Sequence, residues 1–209
     1  MYSAGRPGGR PRSCTRTASS RSLNASIRGG NRLTEHHLEV PLEKEERLTE
    51  LEVGDVVYLS GTIITARDKA HQRIFEEGEE PPVDLEGAAV FHAGPVVRRV
   101  DDGYELVVIG PTTSTRMAKY LEDIVDAGVK LIVGKGGMGP DAPEVMKDRA
   151  VYLTAPGGCA ALLAERVKSI REVHWLDLGV PEAIWVLEVE EFGPLIVTVD
   201  AHGNELAGE

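Results

Sequence analysis

Two stretches combine glycine, hydroxyl side chains and an arginine in an order that suits an anion. They are Gly61-Thr62-Ile63-Ile64-Thr65-Ala66-Arg67-Asp68-Lys69-Ala70-His71 and Gly110-Pro111-Thr112-Thr113-Ser114-Thr115-Arg116-Met117. Each follows an apolar, β-type run and opens a segment of helical periodicity, with the arginine in about the first turn. Free N–H groups and the positive end of a helix dipole attract an anion at such a junction. A guanidinium beside them can grip both oxygens of a carboxylate. Two junctions facing one cleft would hold a small dicarboxylic acid at both ends.

Other residues bear on the same chemistry. Thr112 to Thr115 are four hydroxyl residues in succession, whereas an N-cap uses one. Arg67 alone reads as a surface arginine paired to Asp68 or Glu76; its place after a β-run and an Ile-Ile-Thr-Ala turn makes it a candidate ligand. His71, four residues on, shares its helix face and either steers the arginine or packs. His92, in Phe91-His92-Ala93-Gly94-Pro95, ends a strand near the same edge, as a buried hydrogen-bonded histidine or as pocket lining. Thr65, Thr113, Gly134 and Gly136 complete the candidate lining. Gly134-Lys135-Gly136-Gly137-Met138-Gly139 satisfies GxGxxG, yet Val151–Thr154 ends without the acid that would bind a ribose. Lys135 is followed by glycine, so this is no Walker A loop. It reads better as a loop that admits a small ligand to the backbone, with Lys135 reaching its charge.

Metal chemistry has little support within this chain. Its two cysteines, Cys14 and Cys159, form no CxxC or Cys/His cluster, and His36, His37, His174 and His202 have no metal spacing. Cys159, in Pro-Gly-Gly-Cys-Ala-Ala, reads as a small buried residue at a helix start. A cubane cluster takes about three or four cysteines, more than this chain has.

The elements that would position these residues follow from periodicity. Strand near His37–Pro41, an acidic helical turn over Glu43–Glu50, strand Val56–Ile64, helix Arg67–Glu77, an acidic loop Glu76–Glu86 and strand Ala88–His92 come first. A turn at Asp101-Asp102-Gly103 leads into strand Tyr104–Ile109. Helix 114–127, strand 130–133, helix Ala142–Lys147, strand 150–154 and helix 158–168 follow. Ile170–Leu176, Ala183–Glu190 and Leu195–Asp200 are strand-like. The alternating middle predicts a parallel sheet with right-handed crossovers, and the β-rich flanks a second sheet or an extension. Ligands gather at the C-terminal ends of parallel strands. Four such ends carry suitable turns: Thr65–Arg67, Gly110–Arg116, Gly134–Gly139 and Thr154–Gly158.

The 209 residues suffice for one domain with a sizeable core, and no apolar run approaches the ~18–20 residues of a membrane span. Residues 1–34 hold seven arginines and no acid, leaving 34 acidic against 16 basic residues, net −18, in the body. That balance argues against nucleic acid as the main partner, and without an apolar span no membrane is expected as partner. A dianionic substrate must be drawn in by a local basic cleft. The Arg-, Ser- and Gly-rich segment 1–34 predicts a disordered or non-functional tail, ahead of a single domain over 35–209.

The two junctions and Gly134-Lys135-Gly136-Gly137 resemble the β subunit, or C-terminal domain, of the iron–sulfur class I fumarases and L-tartrate dehydratases, from roughly Leu38 to Val199. The resemblance implies an α/β fold, a three-layer β/β/α "swivelling" domain with a mainly parallel central sheet. It implies a cytoplasmic hydro-lyase active only with a partner subunit that carries a [4Fe–4S] cluster, homodimerising within a larger assembly. Thr112 aligns with the family's catalytic threonine, and Arg67, Arg116 and Lys135 with residues that bind substrate carboxylates. Reversible hydration of fumarate to (S)-malate is the first expectation and L-tartrate dehydration the second. A non-catalytic anion- or nucleotide-binding module is the alternative from another class.

Overall fold

A computed structural model describes residues 33–43, 47–101 and 103–206. The tail expected over 1–34 lies outside them but for its last two residues, as do residues 44–46 of the acidic turn. The strands are β1 Glu35–Val40, β2 Val56–Thr65, β3 Ala89–Phe91, β4 Ala93–Val100, β5 Gly103–Pro111, β6 Leu131–Gly134, β7 Val151–Thr154, β8 Val167–His174 and β9 Ile184–Val199. The α-helices are α1 Asp68–Phe75, α2 Leu121–Asp126, α3 Ala142–Val145 and α4 Ala160–Glu165, with 3-10 segments at Ser114–Tyr120 and Leu176–Leu178.

Seven strands form a mixed sheet in the order β1-β2-β3-β6-β7-β9-β8. The pairs β1–β2, β2–β3, β3–β6 and β6–β7 are parallel. β9 is antiparallel to its neighbours and spans 16 residues. It is long enough to pair with β8 and β2 along most of its length and with β7 at its end. The strands β2, β3, β6, β7 and β9 are therefore joined in a ring.

Side-chain alternation explains the two cores. Ala89, Phe91, Leu131, Val133, Val151 and Leu153 point to one face, where they meet Leu59, Leu187, Phe192 and Val197. Val90, Ile132 and Tyr152 point to the other, against Ala70, Met117, Leu121, Ile124 and Met146 of the helical layer. Strands buried on both faces need no polar alternation, which is why these read as unbroken apolar runs. Each fully buried large side chain contributes on the order of 1.5–3 kcal/mol.

The structure departs from the expected elements in several places. The segment 114–127 is not one α-helix: its first seven residues are 3-10. There Ser114 N–H donates to Lys135 O at 3.0 Å and Thr115 Oγ1 to Gly137 O at 2.9 Å, drawing the chain onto the β6 loop. Hydroxyl residues that bond locally in this way compete with a regular helix. The last two expected strands are one, β9, which runs through Gly193-Pro194 with bulges in its pairing to β2. Helix 158–168 stops at Glu165 and β8 begins at Val167, earlier than expected. The β-rich flanks extend the main sheet, one of the two arrangements expected, whereas Ala93–Val100, where no strand was expected, is β4 and forms a separate two-stranded sheet with β5.

No described helix is long and apolar enough to cross a membrane.

Candidate functional site

β2, β3 and β6 end level with one another, because Thr65 pairs with Phe91 and Phe91 with Val133. The chain leaving them meets the end of β5, where Thr112 N–H donates to His92 O at 2.7 Å and Thr113 bridges Lys135. Arg67, Thr112, Arg116 and Lys135 are thus carried on neighbouring connections at one edge. The fourth expected strand end lies beside them: Thr154 pairs with Gly134 and the Ala155 N–H donates to Gly134 O at 2.9 Å, while the Thr154 hydroxyl is 2.8 Å from that of Thr198 on β9.

Arg67 immediately precedes α1. Its Nη1 donates to Pro181 O at 3.4 Å and its Nη2 lies 3.1 Å from Glu182 Oε1. The other oxygen of Glu182 accepts the Lys69 N–H at 3.1 Å. The anion at this helix N-terminus is therefore the protein's own carboxylate, and Arg67 Nε is buried without a partner. Gly94 makes room for this arrangement, since a Cβ there would stand 2.5 Å from Arg67 Nη1 and 2.7 Å from Pro181 O.

Arg116 is engaged as well. Asp68, the first residue of α1, accepts from its Nε at 3.1 Å and also from Nη2. Arg116 Nη1 reaches Thr112 Oγ1 at 3.4 Å. The expected surface pairs of Arg67 do not form: Asp68 takes Arg116, and Glu76 takes Lys119 and Tyr120. Neither guanidinium presents a free two-pronged fork, contrary to what the junctions suggest in isolation.

The hydroxyl run divides its work. Thr112 is half-buried beside Arg116, Thr113 is exposed, and no side chain caps the 3-10 segment. Ser114 is fully buried, with Oγ 2.9 Å from His92 Nδ1. Gly134 passes so close that a Cβ would lie 1.8 Å from Ser114 Oγ and 2.9 Å from the Tyr152 hydroxyl. That hydroxyl donates to Gly136 O at 2.8 Å, and burial pushes its pKa up to about 12. Lys135, between these glycines, is exposed.

The histidines lie beneath this edge. His71 is buried, with ring centroids 5.4 Å from His92 edge-on and 5.9 Å from both Phe75 and Tyr120, and both its nitrogens lack partners. Burial lowers its pKa to about 4, against a small opposing pull from Asp68. Burial, and then the neighbouring His71, hold His92 well below the ordinary value. Thr65 is also buried, and its hydroxyl accepts the Trp185 N–H at 3.0 Å. Cys159 stands immediately before α4, buried, with its thiol pKa raised by that burial.

Sequence reasoning missed Asp68, Glu182, Ser114 and Gly94 as contributors. Asp68 sat within the motif but was read as a surface partner for its neighbour. Glu182 has no local signal, lying far along the chain from the arginine it touches.

Comparison with known proteins places the chain in a family. Residues 15–209 match the family described as Fumarase C-terminus. The chain is 51% identical over 168 residues to the L(+)-tartrate dehydratase subunit beta of Escherichia coli (strain K12), covering 79% of this chain and 84% of that one. It is 50% identical over 165 residues to a putative L(+)-tartrate dehydratase subunit beta of Methanocaldococcus jannaschii, covering 76% and 85%. A putative class I fumarate hydratase of Geobacillus stearothermophilus is 41% identical over 172 residues, which are 81% of this chain and 33% of that longer protein. The chain belongs to the Fumarase C-terminus family, as a hydro-lyase chain of the L(+)-tartrate dehydratase and class I fumarate hydratase type.

Proposed function

We propose that this chain is the substrate-clamping β subunit of a two-chain hydro-lyase that reversibly removes water from a four-carbon hydroxydicarboxylic acid. The observation that carries this reading is the convergence of Arg67, Arg116, Lys135 and Thr112 on one sheet edge, linked through Asp68 and the Thr113–Lys135 bridge. The cations hold the substrate carboxylates, and Thr112 Oγ1 takes the proton from the carbon next to the departing hydroxyl. An ordinary threonine is a weak base. A guanidinium nitrogen 3.4 Å away favours its alkoxide by charge. Lys135, exposed beside Thr113, is placed to meet a ligand arriving from the same side.

With two cysteines in the sequence, the donors of this chain do not fit a cubane cluster. The [4Fe–4S] cluster that the family resemblance implies therefore belongs to the partner chain. The substrate is fumarate/malate or L-tartrate. Both acids offer two carboxylates at one spacing, and the 51% identity to tartrate dehydratase β subunits favours the second. The four parallel pairings and the two cores support a single three-layer β/β/α swivelling domain over 35–209; its homodimerisation within a larger assembly rests on the family resemblance.

Co-expression with the partner chain tests this. The pair, assembled anaerobically, is expected to dehydrate L-tartrate or hydrate fumarate, while the chain alone is colourless and inactive. A brown, active protein from this chain alone, or a cluster-loaded pair inert toward both acids, would overturn the reading.

A further inference from the structure

We infer that Asp68 is a positioning residue for the proposed proton transfer: it holds Arg116 so that one guanidinium nitrogen faces Thr112. The inference rests on the function proposed above. Asp68 belongs to the first junction and Arg116 to the second, so their pair ties the two together. The carboxylate takes Nε and Nη2, which leaves Nη1 for Thr112 Oγ1. Two parallel contacts fix the plane of a guanidinium as well as its position. Without them a side chain that is 49% exposed has several rotamers open to it, most of them directed away from Thr112.

The surroundings of Asp68 are cationic. It lies in the first turn of α1, at the positive end of the helix. Arg67 and Lys69 flank it in sequence. Arg67 is itself held by Glu182, and the side chain that pairs with Asp68 among the described residues is Arg116. Asp68 forms no hydrogen bond to Thr112, and its influence on the hydroxyl passes through Arg116.

Steady-state kinetics of the reconstituted two-chain enzyme tests this with Asp68→Asn and Asp68→Glu, each alone and combined with Arg116→Lys. Asp68→Asn is expected to lower kcat by about ten- to a hundredfold, the usual effect of a misplaced catalytic contact, with Tm unchanged. Asp68→Glu keeps the carboxylate and should recover most of the loss. In the Arg116→Lys background the asparagine should cost no more than about twofold further, because residues acting through one another are not additive. Wild-type kcat in Asp68→Asn, or a full additive loss in the double variant, would overturn the inference.

A readout independent of turnover is the Arg116 Nε–H signal in the ¹⁵N-labelled full chain, identified by its disappearance in Arg116→Lys. It should be sharp in the wild type and in Asp68→Glu and broadened in Asp68→Asn. An unchanged signal in Asp68→Asn would also overturn the inference. Wild-type kinetics in Arg116→Lys would instead remove Arg116 from the proposed clamp, while the signal would still report on the pair.

Discussion

Thr112 is where the proposed chemistry and ordinary helix capping make different forecasts. A capping threonine costs about 1 kcal/mol on conversion to alanine, yet no hydroxyl caps this segment, and Thr112 Oγ1 faces Arg116 instead. Thr112→Ala should therefore melt as the wild type does and lose kcat by about 10²–10⁴-fold, the worth of a positioned acid–base group. Thr112→Ser should recover part of it. Solvent hydrogen exchange into the substrate, measured with turnover in the assembled enzyme, checks this; full exchange in the alanine variant would exclude the role.

His71 gives a second residue-scale forecast. Its folded pKa, about 4, lies below the ordinary 6.5, so between these values the unfolded chain binds the proton and the folded chain does not. Stability is present in full above pH 6.5 and is lost as pH falls toward and through 4. At 1.36 kcal/mol per pH unit the loss is on the order of 3 kcal/mol. His92 is displaced in the same direction and steepens the fall. Denaturant melts across pH 4–7 should show this slope, and His71→Leu should flatten it. Equal slopes in both proteins would place the sensitive group elsewhere.

At the scale of elements, what was legible was whatever depends on neighbours in sequence. The arginines, the hydroxyl run and Lys135 announced themselves because a strand end, a turn and a helix start are all written within ten residues. The 3-10 character of Ser114–Tyr120 was not legible, because its cause is the loop after β6, some twenty residues away. Asp68 and Glu182 carried no sign of their partners either, since ion pairs across a fold leave no periodicity.

The contact between Gly134 and Ser114 shows how closely these elements are fitted. A Cβ at Gly134 would displace Ser114 Oγ from His92 Nδ1. Gly134→Ala should cost about 1–3 kcal/mol, the usual effect of overfilling a packed site, read from urea melts. Ser114→Ala removes the colliding oxygen, so the double variant should be more stable than Gly134→Ala alone. If it is not, the strain comes from the backbone rather than from this contact.

On the scale of the whole molecule, parallel β-α alternation was readable from the sequence, but ring closure was not. Closure depends on one long strand, β9, that reads as two because Gly193-Pro194 interrupts its apolar pattern. The net charge of −18 over residues 35–209 also acquires a more particular meaning. Part of the acidity is placed against the very cations that would receive a dianion, with Glu182 on Arg67 and Asp68 on Arg116. The basic cleft anticipated from composition is thus partly neutralised by its own frame.

The position of β9 in the chain also sets an order of events. Synthesis runs from the N-terminus, so Arg67 and its junction emerge long before Pro181 and Glu182, which hold the guanidinium, and before the strand that closes the ring. Pairing β2 with β9 joins residues more than a hundred positions apart, and contacts of such separation form slowly. While the chain is still on the ribosome, the sheet has an open edge on β2 and Arg67 lacks its counter-ion. The substrate edge is completed only when the last fifth of the chain has arrived.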